Sequence, residues 1–199
     1  MTENPSVVRL VLWASPVIVG MIATLIGVGV WDVYTNSDFA HARRAASYQA
    51  FSVEEKSAYW KGRIAAVGGT KAYDELAYLA RDLITTKQHS EGHIFGKALY
   101  LVEGLAGVAV CDTRFMYSCF HSFMTQAILS EGVTAAQILH EACRASLGYR
   151  SENCEHGVGH GIQSMHAYDF AGLKKSLDVC GALTPPSHPV AGCAGGVFM

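Results

Sequence analysis

The sequence predicts an all-α protein: one N-terminal transmembrane helix, then an array of antiparallel helix hairpins, each clipped by a disulfide. Three observations predict it. Leu10 to Trp31 carries no charge over a length that crosses a bilayer. Beyond it, apolar residues recur at helical spacing, and no convincing strand alternation is present. Six cysteines, all after the apolar stretch, fall into three successive pairs: Cys111/Cys119, Cys143/Cys154 and Cys180/Cys193.

The first element is an uncleaved anchor at about residues 10–31, within an N-terminal segment of residues 1–37. Trp13 and Trp31 sit near its ends, where interfacial aromatics belong. Pro16 and Gly20 are tolerable in a membrane helix. The alternative is a cleaved signal peptide. Its apolar core would be shorter, and Ala40-His41-Ala42, which has the residues of a cleavage site, lies far from the run. The bilayer is thus the first expected partner. Arg9 precedes the span while Arg43 and Arg44 follow it, so basic residues leave the orientation open. The cysteines decide it. An even number in successive pairs points to disulfides, hence to an oxidising compartment and an extracytoplasmic domain over residues 38–199. The competing reading is six buried free thiols.

Half of the 199 residues are hydrophobic, 16% are charged, and the net charge is −2. So low a charge fraction fits membrane association. The absence of a basic footprint argues against nucleic acid as a partner.

In the domain, Asp38 to Phe51 reads as a connecting helix. Ser52-Val53-Glu54-Glu55 is a capping box. The helix it opens carries Val53, Trp60, Ile64 and Val67 on one stripe and stops at Gly68-Gly69. Thr70 caps the next helix, whose apolar face is Tyr73, Leu76, Leu79, Leu83 and Ile84. His89 to Gly104 is its antiparallel partner. A second pair uses Gly104 to Val110 and Phe115 to Leu129. A third opens at the capping-box pattern Thr134-Ala135-Ala136-Gln137, runs to about Leu147, turns and re-enters at Cys154. A fourth starts near Asp169, turns at Thr184-Pro185-Pro186 and re-enters near Ala191. The elements recur every roughly 32–39 residues, the period of helix-hairpin repeats. In each cysteine pair the first falls late in one helix and the second opens the next, so a bridge would clip the hairpin at its bend. In the chain-entropy description each contributes about 2–3 kcal/mol.

Leu173-Lys174-Lys175-Ser176-Leu177-Asp178-Val179-Cys180, followed by Ala191-Gly192-Cys193-Ala194-Gly195-Gly196, resembles the cysteine-rich Sel1-like repeat proteins, relatives of tetratricopeptide repeats. The resemblance covers the cysteine spacing from Cys111 to Cys193. It implies one disulfide per helical hairpin, and it says little about activity. The histidines and the uneven repeat length depart from that pattern. No polar cap follows Gly195-Gly196-Val197-Phe198-Met199, although a solenoid needs one. Either the chain continues, or its last repeat packs on a partner.

Function is carried by a pattern that occurs twice. His89-Ser90-Glu91-Gly92-His93 and His156-Gly157-Val158-Gly159-His160 both read His-x-x-Gly-His. Residues four apart share a helix face, so each copy aims two imidazoles one way. Imidazole is the commonest metal-ligating side chain. Two pairs brought together make a four-histidine site. His121 is a fifth ligand, because Cys119-Phe120-His121 parallels Cys154-Glu155-His156. The candidate cofactors are a divalent transition metal (Zn, Cu or Fe) or a non-covalent haem held by two facing histidines.

Gly92, Gly96, Gly157, Gly159 and Gly161 each cost roughly 1 kcal/mol against alanine inside a helix. Close approach of a flat cofactor or of another backbone would explain them, and Gly157 to Gly161 could also be a loop. Glu91, Glu103, Glu141 and Glu155 are candidates to hold the second N–H of a ligating imidazole. His140 and His166 read as isolated surface or core residues, and His188, among prolines, as exposed.

Neither copy is a His-Glu-x-x-His metalloprotease pattern. No phosphate-binding loop and no Gly-x-Ser-x-Gly elbow is present. The expected function is therefore a membrane-anchored, metal- or haem-binding protein. The competing reading is a scaffold that presents its helical surface to a membrane-protein or peptide partner, with the histidines holding helix junctions.

Overall fold

A computed structural model describes residues 45–189 and 191–198. The expected span at about 10–31, and the first half of the helix expected over Asp38 to Phe51, lie outside the described residues. The chain divides into two compact units, Met1–Ala50 and Phe51–Met199. Of the first, a helical stretch over residues 45–49 is described. In the second, the regular secondary structure of the described residues is all helical, with no strand.

Helix α1 (Val53–Val67) opens on the expected capping box: Ser52 Oγ accepts from the Glu55 N–H, and the Glu55 carboxylate accepts from the Ser52 N–H. Trp60 and Ile64 are fully buried. Val53 is not part of that stripe. It is 60% exposed and lines an open groove beside Ile94 and Lys97. Helix α1 ends at Gly68, whose φ of +83° reverses the chain and starts α2 (Gly69–Ala80) at once. That leaves no cap position for Thr70. The orphaned Gly69 N–H is instead taken, at 2.7 Å, by the Glu103 carboxylate from the far end of α3. Tyr73, Leu76 and Leu79 are buried as expected, but Ile84 lies beyond the helix end and is 66% exposed.

Helix α3 (Thr85–Glu103) leads through a tight 3-10 helix at Gly104–Val110, where an α-helix was expected. A second 3-10 turn, Arg114–Tyr117, follows. Phe115, Met116 and Tyr117 all have φ between 52° and 61°, so α4 (Ser118–Glu131) starts three residues later than the apolar pattern predicts. Helix α5 (Val133–Leu147) starts directly from Gly132, at φ +75°. Thr134 is therefore already inside the first turn, and the expected capping box does not form. Gln137 reaches Thr184 and Glu141 instead. Helix α6 (Glu152–Ser164) runs straight through Gly157, Gly159 and Gly161, so this stretch is helix and not loop. Helix α7 (Phe170–Ala182) is capped by Asp169, whose carboxylate accepts from the Gly172 N–H at 2.7 Å. A five-residue helix α8 (Cys193–Val197) closes the described chain.

Helices α3, α4, α6 and α8 pack side by side in chain order, and α1 extends the row on the free side of α3. Helices α2, α5 and α7 pack against this row, each beside the row helix that follows it in sequence. The three predicted bridges are present: Cys111–Cys119, Cys143–Cys154 and Cys180–Cys193. Each ties the start of a row helix to the segment before it.

The row is held close by its glycines. A Cβ on Gly96 would fall within 3.0 Å of the Cys119 carbonyl on α4. Gly92 stands against Ser118 and Phe115 of the α4 approach. On α6, Gly157 faces Phe120 and Met124, Gly161 faces Met124 and Ile128, and Gly159 faces the Cys193 backbone of α8. The close approach that these five residues permit is thus to other helices, and protein fills the room they leave.

Candidate metal centre

The row places the two His-x-x-Gly-His copies on α3 and α6 with α4 between them. Each pair lies four residues apart on its helix, so its rings share a face. His121 lies on α4, between the pairs. Ring centroids are 4.6 Å apart for His89–His93 and 4.8 Å for His156–His160. His121 is 5.9 and 5.7 Å from the first pair, and 5.6 and 4.9 Å from the second.

All five predicted histidines are brought together, but not as four ligands around one point with a fifth added. They form two triads, His89/His93/His121 and His121/His156/His160, each with its donor nitrogens within 4.8 Å of one another. His121 belongs to both. The internal parallel marks it as a fifth ligand; in space it is central.

The hydrogen bonds orient the rings. His89 Nδ1–H donates to the Phe115 carbonyl at 2.9 Å, which leaves Nε2 as the lone-pair nitrogen. His93 Nε2 lies 3.0 Å from that atom. Tetrahedral coordination at a metal–nitrogen distance of ~2.0–2.1 Å sets donor atoms ~3.3 Å apart, so the pair is already near that spacing. His93 Nδ1 pairs with Ser122 Oγ at 2.8 Å; a hydroxyl can accept from Nδ1–H when Nε2 is a ligand. On α6, a backbone hydrogen bond to Ala191 holds His156. His160 Nε2 is buried with no hydrogen-bond partner.

None of the four expected glutamates takes the role of ring partner. Glu91 pairs with Lys56, Glu103 caps α2, and Glu141 binds Gln137. Glu155 is fully buried and receives Ser151, Ser187 and the His188 N–H. It joins the loop before α8 to α6 at the residue next to His156. Burial would raise its pKa, but these hydrogen bonds outweigh that and hold it below the ordinary value. The ring partners from other segments are the backbone at Phe115 and Ala191 and the Ser122 hydroxyl. A carbonyl leaves no mark in the sequence, and Ser122 was marked only by adjoining His121.

The Phe115 carbonyl is aimed by the three left-handed residues. Such a conformation costs roughly 1–2 kcal/mol per non-glycine residue. It is retained by the neighbouring Cys111–Cys119 bridge and by edge contact of the Phe115 ring with Tyr73, at 5.6 Å.

Burial sets the proton affinity. Desolvation, with repulsion from His89 and His160, pushes His93 down to about 4. Desolvation and the four surrounding histidines push His121 down to about 3. Burial and His156 push His160 down to about 4. His156 is lowered by burial, with the Ala191 bond opposing. These imidazoles are neutral at pH 7, the form that binds metals. A cavity of about 330 Å³ borders the rings of His89, His93, His121 and His160, and Ser122, Thr125 and Ser164 complete its wall.

The other described histidines stand apart from the centre. His140 is fully buried and donates to the Pro185 carbonyl at 2.6 Å, while His166 pairs with Ser176 at 2.9 Å. His188, expected to be exposed, is half-buried, because its backbone is drawn in by Glu155.

No protein-family model matches this chain, and no curated protein or solved structure matches it.

Proposed function

We propose that this protein binds transition-metal ions through His89, His93, His121, His156 and His160, in a domain held outside the cytoplasm by the apolar segment at about 10–31. The observation that carries the reading is the meeting of five imidazoles from three adjacent helices, as two triads. Imidazole sets of this kind suit zinc, copper, iron and nickel. Three histidines leave a coordination position open for water or a substrate. Two details support the reading. The buried His160 Nε2 lacks a partner that an ion would supply. The polar cavity wall of Ser122, Thr125 and Ser164 favours a bare ion over haem, whose macrocycle needs apolar faces. Three disulfides support an oxidising compartment.

The test is elemental analysis of the full chain produced in an oxidising compartment, with an absorption scan for the haem Soret band. Metal in stoichiometric amount, lost in a His89→Ala/His156→Ala variant, is the expected result. A folded, metal-free protein that takes up neither zinc, copper nor iron overturns the proposal. A Soret band would replace the bare ion with haem.

A further inference from the structure

We propose that the centre holds two ions, one in each triad, with His121 bridging them as an imidazolate. The proposal rests on the metal-binding reading above and goes one step further, to nuclearity. It follows from an accounting of nitrogens. His89, His93 and His156 each commit one nitrogen to another segment, to Phe115, Ser122 and Ala191 respectively, and the second nitrogens of His89 and His93 face each other at 3.0 Å, in a hydrogen bond that an ion between them would replace. His89 and His93 belong only to the first triad, and His156 and His160 only to the second. His121 alone belongs to both. Among the described residues, no hydrogen bond engages either of its ring nitrogens. It therefore has two uncommitted nitrogens and stands between two pairs that each offer two.

A neutral imidazole has a single lone pair, so it can serve one ion. Serving two requires loss of the remaining N–H proton. The step balances simply: the first ion binds the lone pair of His121, and the second binds the other ring nitrogen as its proton leaves to buffer. Each ion then has three protein nitrogens and an open position. Ring spacing supports two centres over one. Every ring pair within a triad lies at 4.6–5.9 Å, which matches ligands around a shared ion. The donor atoms group as two sets of three, not one set of five.

The test is titration of the metal-free, disulfide-intact full chain with Cu²⁺ alone, read by native mass spectrometry and electron paramagnetic resonance. Two ions per chain are expected. At two equivalents the spin signal per copper should fall by more than half, because an imidazolate couples the spins. His89→Ala/His93→Ala and His156→Ala/His160→Ala should each retain a single copper with a full signal. Circular dichroism and a thiol count check that the variants remain folded; the wild-type result stands without them. Two coppers with an undiminished signal overturn the bridge. One copper per wild-type chain overturns the two-ion centre and leaves metal binding intact. No copper bound at all overturns the two-ion centre, and the elemental analysis above then decides whether metal binding falls with it.

Discussion

Gly96→Ala and Gly62→Ala are the same chemical change in helix interiors, and they should alter stability in opposite directions. Intrinsic propensity favours alanine by about 1 kcal/mol at either position. A Cβ at Gly62, exposed in α1, meets nothing within 4 Å, so that gain should appear almost undiminished. At Gly96 the Cβ would enter the contact shell of the Cys119 carbonyl, closer than 3.0 Å. The obstacle is backbone, which no rotamer change can remove. Reaching van der Waals distance requires α3 and α4 to separate by roughly 1 Å. Overpacking of this kind costs about 1–3 kcal/mol, and more where backbone must move. Subtracting the propensity gain leaves a net loss of about 2 kcal/mol or more. The separation also draws His121 from His89 and His93, so the α3 triad should lose metal affinity in the same variant. Urea denaturation of both variants, under oxidising conditions with metal removed, reads the two signs. Stabilisation by Gly96→Ala would refute the claim that the glycines exist for helix contact.

Two further outcomes follow from buried polar groups. In the metal-free protein His93, His121 and His160 have folded-state pKa values near 4, 3 and 4, below the unfolded value of about 6.5. The unfolded chain then binds protons first, so stability should be constant above about pH 6.5 and fall as pH drops toward 4. The slope is at most about 1.4 kcal/mol per pH unit per group, less for solvent screening; Tm measured against pH checks it. Glu155→Ala should cost about 3 kcal/mol, because it orphans Ser151, Ser187 and the His188 N–H together. Thermal denaturation checks this, and a Tm within a degree of wild type would show that the loop before α8 is held by other means.

The helices and bridges were legible because they rest on local rules. Ser52 caps as its capping-box spacing demands, the helix expected near Asp169 starts there, and the cysteine pairs close over short loops. The caps expected at Thr70 and Thr134 failed for one reason. A preceding glycine at positive φ allows one helix to follow another with no free residue between, and Glu103 or nothing caps in place of the threonine. The left-handed run at Phe115, Met116 and Tyr117 was invisible, since no glycine marks it. It is imposed by the bridge and the aromatic contacts around it, which are tertiary facts.

The same division applies to the centre. The five histidines were identifiable from repetition, but their grouping was not. Repetition treats the two motif copies as equals and His121 as a remnant. Packing order decides otherwise, because the helix with one histidine lies between the two that carry a pair each. The glycines and histidines then prove to be two sides of one arrangement. Gly92 and Gly96 let α4 approach α3, Gly157 and Gly161 let it approach α6, and only at that separation does a single imidazole on α4 reach both pairs. A larger residue at any of these glycines moves one pair away from His121 and leaves the other in place. The metal affinity of the two triads should therefore be separable by glycine substitutions that touch no ligand.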